Sequence, residues 1–228
     1  VLSDEIYSRI TYDGREHTSL LSYPELDDRL ILLDGWSKTY AMTGWRMGYA
    51  VWPEVLVEGA TRLAVNCHSC VNSAAQYAGI AALDGPQDAV DGIVSAFDRR
   101  RRLIVKGLND LPGIHCCTPG GAFYAFPNVE GALERIGAKQ AYATLPAETR
   151  QQTSPATLFT LFLLYEHHVA ALDRRSFSKR GSEGQHYIRI STANSDAELA
   201  AAVERIGEAA HDTEGFARFM HSGVGLTI

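Results

Sequence analysis

The chain has 228 residues, 46% of them apolar and 21% charged, with a formal net charge of -6. That composition suits a globular protein of one large or two modest domains, and its acidic balance gives no reason to expect nucleic acid or an anionic membrane as partner. No apolar run approaches the ~18 residues of a membrane span, the first residues do not read as a charged-then-apolar leader, and four cysteines point to a reducing cytoplasm rather than a disulfide framework.

Val1-Leu2-Ser3-Asp4 reads as a strand already under way, without a cap or polar lead-in, so the chain is expected to continue upstream or to begin inside a domain. In Asp4-Glu5-Ile6-Tyr7 the D-x-x-Y spacing lets a carboxylate and a phenol project from one strand end into one site. By themselves these residues favour a plainer reading, an Asp-Glu turn beside a packed tyrosine. A buried aspartate needs a charged or hydrogen-bonding partner. Residues 8–29 are polar, with a turn at Asp13-Gly14 and a short helix opened by Pro24.

Leu30-Ile31-Leu32-Leu33 is a continuous apolar run stopped by Asp34-Gly35, the pattern of a strand buried on both faces. Ser37-Lys38 then falls in the loop past a strand end, where α/β proteins place reactive groups. Most lone lysines are solvated surface charges. A lysine held among apolar neighbours is different, because desolvation disfavours its ammonium form, and a neutral amine is what Schiff-base chemistry requires. Eight residues on, Arg46 offers a planar donor fork for an anion such as phosphate and opens an apolar stretch through Val51. The pattern predicts about three strands before residue 100.

Trp52-Pro53-Glu54 begins a helical pattern. Cys67-His68-Ser69-Cys70 invites a zinc reading, but no second Cys/His pair stands at fitting spacing. The small side chains over residues 65–83 predict a buried helix instead. Asp84-Gly85-Pro86 ends it and starts another, with Ile93, Phe97, Leu103, Ile104 and Leu108 at near-helical spacing. The run Arg99 to Arg102 lies on that helix and reads as a solvated face with acidic partners. A domain boundary is expected near residue 100, with residues ~86–111 as the connecting helix.

Beyond it the pattern becomes α+β. Cys116 to Pro127 looks like a turn and then a strand, with both cysteines packed. Ser154-Pro155 is an N-cap and first-turn signal for a helix with Leu158, Leu161, Phe162 and Tyr165 on one face. Val169 to Leu172 reads as a strand, and so does His186 to Ser191, with Arg189 on one side. An arginine there is a structural ion pair or an anion site. Ser195 to Glu198 forms a capping box for a helix with Leu199, Val203, Ile206 and Ala210 on one face.

Ser37 to Tyr49 resembles the lysine signature of the fold-type I pyridoxal phosphate enzymes, specifically the class I/II aminotransferases of the aspartate aminotransferase type. The P-x-G-[AT]-F-Y pattern at Pro119 to Tyr124 and the Y-x-R-[IL]-S strand at Tyr187 to Ser191 are similar to theirs. The resemblance covers essentially the whole chain and corresponds to the later part of such an enzyme. It implies an α/β fold: residues 1–100 as the later part of the large cofactor-binding domain, with a mixed, mostly parallel sheet, then residues 101–228 as a small α+β domain. It implies pyridoxal 5'-phosphate as cofactor, bound as a Schiff base by Lys38. Asp4 would then sit on the ring nitrogen, Tyr7 on the ring oxygen, Arg46 on the phosphate, and Ser37 beside the lysine among the cofactor contacts. Arg189 would grip the substrate α-carboxylate, with Lys38 and Asp4 catalytic and no metal. The partners implied are an amino acid and a 2-oxo acid, with a homodimer in the full-length form. Two departures stand out. Gly35 replaces a serine that in relatives often touches the phosphate, and Asp173-Arg174-Arg175-Ser176-Phe177 replaces a Pro-Gly pair. A carbon–sulfur lyase on the same scaffold and a non-catalytic fragment remain the alternatives.

Overall fold

The structure, a computed structural model, describes residues 1–178, 180 and 184–226. It divides into two compact units: Val1–Ala96 with Gly120–Ala122, and Phe97–Pro119 with Phe123–Ile228.

The first unit is built on a three-stranded sheet, β1 (Leu2–Asp4), β2 (Ile31–Gly35) and β3 (Gly48–Val51), with β2 in the centre. β1 runs parallel to β2, placing Asp4 opposite Leu33, and β3 runs antiparallel with Gly48 opposite Gly35. The expectation that Leu30–Leu33 is buried on both faces needs correcting. Leu30 and Leu32 are buried, whereas Ile31 and Leu33 are half-buried, so the run alternates as a strand with one well-covered face does.

Three helices follow, α1 (Glu54–His68), α2 (Ser73–Asp84) and α3 (Asp88–Asn109), the last beginning in the first unit and ending in the second. The single buried helix expected over residues 65–83 is not what forms. Ser69, at φ +60°, ends α1, and Asn72 caps α2 by accepting from the Ala75 amide. α1 buries none of its side chains, and α2 buries only Ala75 and Gly79. Small side chains permit close packing but do not compel it. Cys67 and Cys70 are likewise exposed rather than packed.

The second unit has its own antiparallel sheet of β4 (Tyr124–Ala125), β5 (Leu172–Asp173) and β6 (Ile188–Ser191), in the order β4-β6-β5. Its helices are α4 (Glu130–Arg135), α5 (Ala138–Thr144), α6 (Ala147–Gln152), α7 (Pro155–His167), α8 (Asp196–Ala209) and α9 (Thr213–Met220). The strand expected from Val169 shrinks to Leu172–Asp173. α7 forms the centre: every residue from Pro155 to Leu163 is buried, as expected of a helix apolar all round. Tyr165 is exposed, contrary to its expected place on the packed face. Cys116 is buried and Cys117 exposed, so only the first is packed. In the arginine run, Arg99 and Arg100 reach Asp196 and Arg102 reaches Asp98. Arg101 departs from a solvated face. It is buried, bonding Asp98 at 2.5 Å and the Pro119 carbonyl at 2.7 Å. Among the described residues no helix is long and apolar enough to cross a membrane.

Candidate active site

The sheet of the first unit brings five of the sequence-predicted residues, Asp4, Tyr7, Ser37, Lys38 and Arg46, to one edge. Because β1 and β2 are parallel, both chains leave the sheet at their carboxyl ends on the same side, the edge where open α/β sheets bind ligands. Asp4 is the last residue of β1, and Tyr7 lies half-buried in the turn that follows. The turn bearing Ser37 and Lys38, both half-buried, follows β2. β3 starts where β2 ends, so Arg46, two residues ahead of it, belongs to the same edge.

Local chemistry fixes the lysine turn. The Trp36 carbonyl accepts from the amides of Tyr40 (3.2 Å) and Met42 (3.4 Å), and the Lys38 carbonyl accepts from Ala41 (3.3 Å). Trp36 Nε1 donates to the Gly79 carbonyl at 3.1 Å. A Cβ on Gly79 would lie 3.1 Å from Met47 and 3.3 Å from Trp36, so glycine lets α2 come close. Met42, Met47 and Ala75 form a small buried cluster, with Trp36, Tyr40, Ala78 and Ala82 packed against it. The turn is therefore anchored on either side of Lys38.

Arg46 does not open a strand, as its apolar neighbours suggested. It closes the 3-10 turn Thr43–Trp45 in the left-handed conformation, φ +56° and ψ +49°. Its exposed guanidinium donates from Nη1 to the Thr43 carbonyl at 2.7 Å, leaving its other N–H groups for a ligand. Left-handed backbone costs a non-glycine residue roughly 1–2 kcal/mol, and Ala41 and Arg46 both adopt it here. Such conformations cluster at functional sites.

Asp4 also differs from expectation. Its side chain is exposed, with Oδ1 accepting from the Ile6 amide at 3.2 Å. The buried carboxylate is its neighbour Glu5, 6% exposed, which accepts from His17 Nε2 (2.9 Å), the Leu20 amide (3.0 Å) and Ser3 Oγ (3.1 Å). Burial raises the affinity of the Glu5 carboxyl for a proton. The hydrogen bonds from His17, Leu20, Ser19 and Ser3 outweigh it and hold the group below its ordinary value. On β3, Tyr49 Oη donates to Asp34 at 3.4 Å. Burial, together with the Asp34 charge, pushes this phenol above its ordinary value. Sequence reasoning assigned no site role to Glu5, His17, Asp34 or Tyr49. A polar stretch returning a histidine and a serine after D-E is the signal that existed.

Gly35 has a physical reason to be glycine. A Cβ there would stand 2.8 Å from both Gly48 Cα and the Met47 carbonyl. A serine would force β2 and β3 apart, so the missing hydroxyl goes with a closer strand pair.

Arg189 belongs to the second unit, at the middle of β6. Its guanidinium lies 4.4 Å from the Tyr124 ring centre and 4.4 Å from that of Phe177. Among the described residues it forms no ion pair. It lines a cavity of about 360 Å³ with Phe126, Arg174, Phe177 and Ser178. Stacking on ring faces leaves the N–H edge of a guanidinium for a planar anion. Among the described residues no group of three or more His, Cys, Asp or Glu is placed to hold a metal ion.

Comparison with known proteins gives these features a context. The family described as aminotransferase class I and II matches residues 1–206. The aspartate aminotransferase of Rhizobium meliloti is 39% identical over 210 residues, 92% of this chain and 48% of that protein. The aspartate aminotransferase of Geobacillus stearothermophilus is 38% identical over 207 residues, 90% of this chain and 48% of that protein. Among solved structures, the Rhizobium meliloti aspartate aminotransferase superposes with a TM-score of 0.75 at 35% identity, covering 92% of this chain and 49% of that one. The aromatic aminotransferase from Pyrococcus horikoshii OT3 gives 0.76 at 31% identity, covering 94% and 51%. The chain spans about half the length of the relatives it matches.

Proposed function

Because the chain belongs to the class I and II aminotransferase family, we propose that it carries the lysine-bearing and substrate-carboxylate-binding parts of an enzyme that moves an amino group between an amino acid and a 2-oxo acid. The observation that carries this reading is the convergence of Asp4, Ser37-Lys38 and Arg46 on one edge of the β1–β2–β3 sheet.

The donor set fits pyridoxal 5'-phosphate. A primary amine at Lys38 suits its aldehyde, the Asp4 carboxylate its ring nitrogen, and the Tyr7 phenol its ring oxygen. The Ser37 hydroxyl and the Arg46 guanidinium suit its phosphate. When bound, this cofactor supplies an electron sink for charge developing at the substrate Cα. The chain's own groups do the rest. Lys38 Nζ would take the proton from Cα and pass it to the cofactor carbon, Asp4 would keep a proton on the ring nitrogen, and Arg189 would orient the substrate through its carboxylate. Residues 1–100 serve as the later part of the cofactor domain and 101–228 as the small domain. A homodimer is the proposed full-length form. The reducing cytoplasm is the proposed compartment, a reading supported by four cysteines free of disulfides.

The test is covalent. Incubating the 228-residue protein with pyridoxal phosphate, reducing with borohydride and mapping the peptides should place the label on Lys38, and Lys38→Ala should abolish it. A label on another lysine instead, or no label on a full-length version, overturns the assignment. With active protein, dependence of product on a 2-oxo acid acceptor distinguishes transamination from carbon–sulfur elimination.

A further inference from the structure

The second unit holds another cavity, of about 480 Å³, whose lining shares no residue with the cavity of Arg189. Its walls include Lys139 from α5, Arg150 from α6, Thr153 and Ser154 at the start of α7, and Asp173 and Arg175 around the short helix Arg174–Ser176. Asp173 is buried. Its Oδ2 accepts from Ser154 Oγ and from Thr157 Oγ1 at 2.6 Å, and its Oδ1 accepts from the Arg175 amide at 3.1 Å. These neutral donors engage the carboxylate and tie the short helix to the first turn of α7.

The lining carries three cations, Lys139, Arg150 and Arg175, against the one carboxylate of Asp173. His186 also lines it and adds little positive charge at neutral pH, because burial holds its imidazole below the ordinary value. Lys139 has acidic partners in Glu130 and Glu134. The two arginines differ. Arg175 is half-buried, and its Nη1 and Nη2 donate to the carbonyls of Thr153 and Gln151, both uncharged. Among the described residues neither Arg175 nor Arg150 forms an ion pair. A guanidinium drawn out of water without a counter-ion is costly, and an anion removes that cost.

A second, independent feature of the same wall asks for a ligand. Thr153 is 1% exposed, and its Oγ1 has no hydrogen-bond partner among the described residues. Buried hydroxyls are nearly always paired, so this one is a donor in want of an acceptor. The polar groups come from separate elements: α6, the turn into α7, and the short helix. A carboxylate accepts chiefly in one plane, whereas the free oxygens of a phosphate group accept on several sides. The volume lies within the roughly 300–1,000 Å³ of small-molecule sites, enough for a phosphate with a small organic group.

We propose that this cavity is a binding site for a phosphate group, free or on a small monoester, with Arg150 and Arg175 as its cations and the Thr153 hydroxyl as a neutral donor. The site is independent of the reading of Lys38, Arg46 and Arg189. A bound phosphate bridges α6 and the short helix, and so stabilises the second unit.

Calorimetric titration of the 228-residue protein at constant ionic strength tests it, with inorganic phosphate, glycerol phosphate and acetate as probes. Phosphate should bind at least about tenfold more tightly than acetate, and Arg150→Met and Arg175→Met should each weaken it by about tenfold, the yield of one charge-assisted contact. Thr153→Val keeps the shape and removes the hydroxyl. It should weaken phosphate several-fold without lowering the melting temperature, a split that a purely structural threonine would not give. Arg46→Met, in the first unit, should leave this binding unchanged. Glycerol phosphate bound as tightly as free phosphate, or more tightly, makes a monoester the ligand; weaker binding makes it the free anion. Phosphate bound no better than acetate overturns the proposal, and so does phosphate affinity that survives in both Arg150→Met and Thr153→Val. Affinity lost in Arg46→Met but kept in those two variants places the phosphate at the lysine-bearing sheet edge instead, and this inference alone falls. Should the melt show that Arg175→Met is misfolded, Arg150→Met and Thr153→Val decide the matter.

Discussion

Helices α1 and α7 are close in length, 15 and 13 residues, and both are rich in apolar side chains, yet they have opposite fates. α7 is buried from Pro155 to Leu163 and forms the centre of an extended core that also draws on α4, α5, α8 and α9. α1 buries nothing, and Val55 on its first turn is 84% exposed. The difference shows that apolar content sets the capacity for burial, while neighbours decide whether it is used. It also shows how differently the two units hold their candidate site residues. Arg189 sits on a strand backed by that core. Lys38 sits on a turn held by hydrogen bonds, left-handed backbone and the small Met42–Met47–Ala75 cluster.

The sharpest way to break this contrast is to truncate one apolar side chain on each side of it. Phe162 is fully buried, with ring contacts to His167, Phe216 and Phe219 at 4.8, 5.3 and 5.6 Å. Phe162→Ala should cost about 3–5 kcal/mol in urea unfolding, transfer and cavity terms together. Val55→Ala should lie within about 0.5 kcal/mol of the unsubstituted chain. Similar losses at the two positions would mean that α1 is covered in solution, and the contrast would disappear.

A middle-sized effect is expected at Gly35. Gly35→Ser places a side chain 2.8 Å from the Gly48 backbone, and overpacking of this kind costs typically about 1–3 kcal/mol. The strain falls on the strand pair that carries the lysine turn, so borohydride labelling of Lys38 should drop along with stability. If the variant gained stability or labelled better, the close β2–β3 approach would be unimportant and the absent hydroxyl a simple loss.

Much of the scaffold was legible because its signals are local. The loop position of Lys38 and the Ser154-Pro155 start of α7 need only neighbouring residues and form as read, and the Leu30–Leu33 run gives a strand as read, though with one well-covered face rather than two. The capping box at Ser195 was half legible. Ser195 Oγ accepts from the Glu198 amide at 3.2 Å, but its own amide donates to Asn194 Oδ1 at 2.8 Å. What could not be read depends on distant partners. Asp4 and Glu5 are adjacent carboxylates, and which of them is buried depends on His17 and Leu20, more than ten residues away. Arg174 shares a cavity with Arg189 because β5 pairs with β6, a register that no local pattern announces. Arg101 differs from the other arginines of its run because the Pro119 carbonyl lies within its reach.

The smallest effect expected belongs to Glu5, the buried carboxylate next to Asp4, and pH isolates it. Its carboxyl is held below its ordinary value in the fold, so the folded chain binds that proton more weakly than the unfolded chain. The resulting stabilisation is fully present above the unfolded value, about 4.3, and is lost as pH falls through the lower folded value. Glu5→Gln keeps the shape and removes the charge. It should therefore be less stable than the unsubstituted chain at pH 7, by about 1 kcal/mol for weakened hydrogen bonds to a formerly charged acceptor. The gap should close as the pH is lowered through the acid range, because both chains then present a neutral group to His17 and Leu20. Urea midpoints at pH 7, 5 and 3 for the two proteins measure it. A gap that stays constant across those three values would show that Glu5 acts through shape alone, and that the lysine-bearing unit owes nothing at its sheet edge to a buried charge.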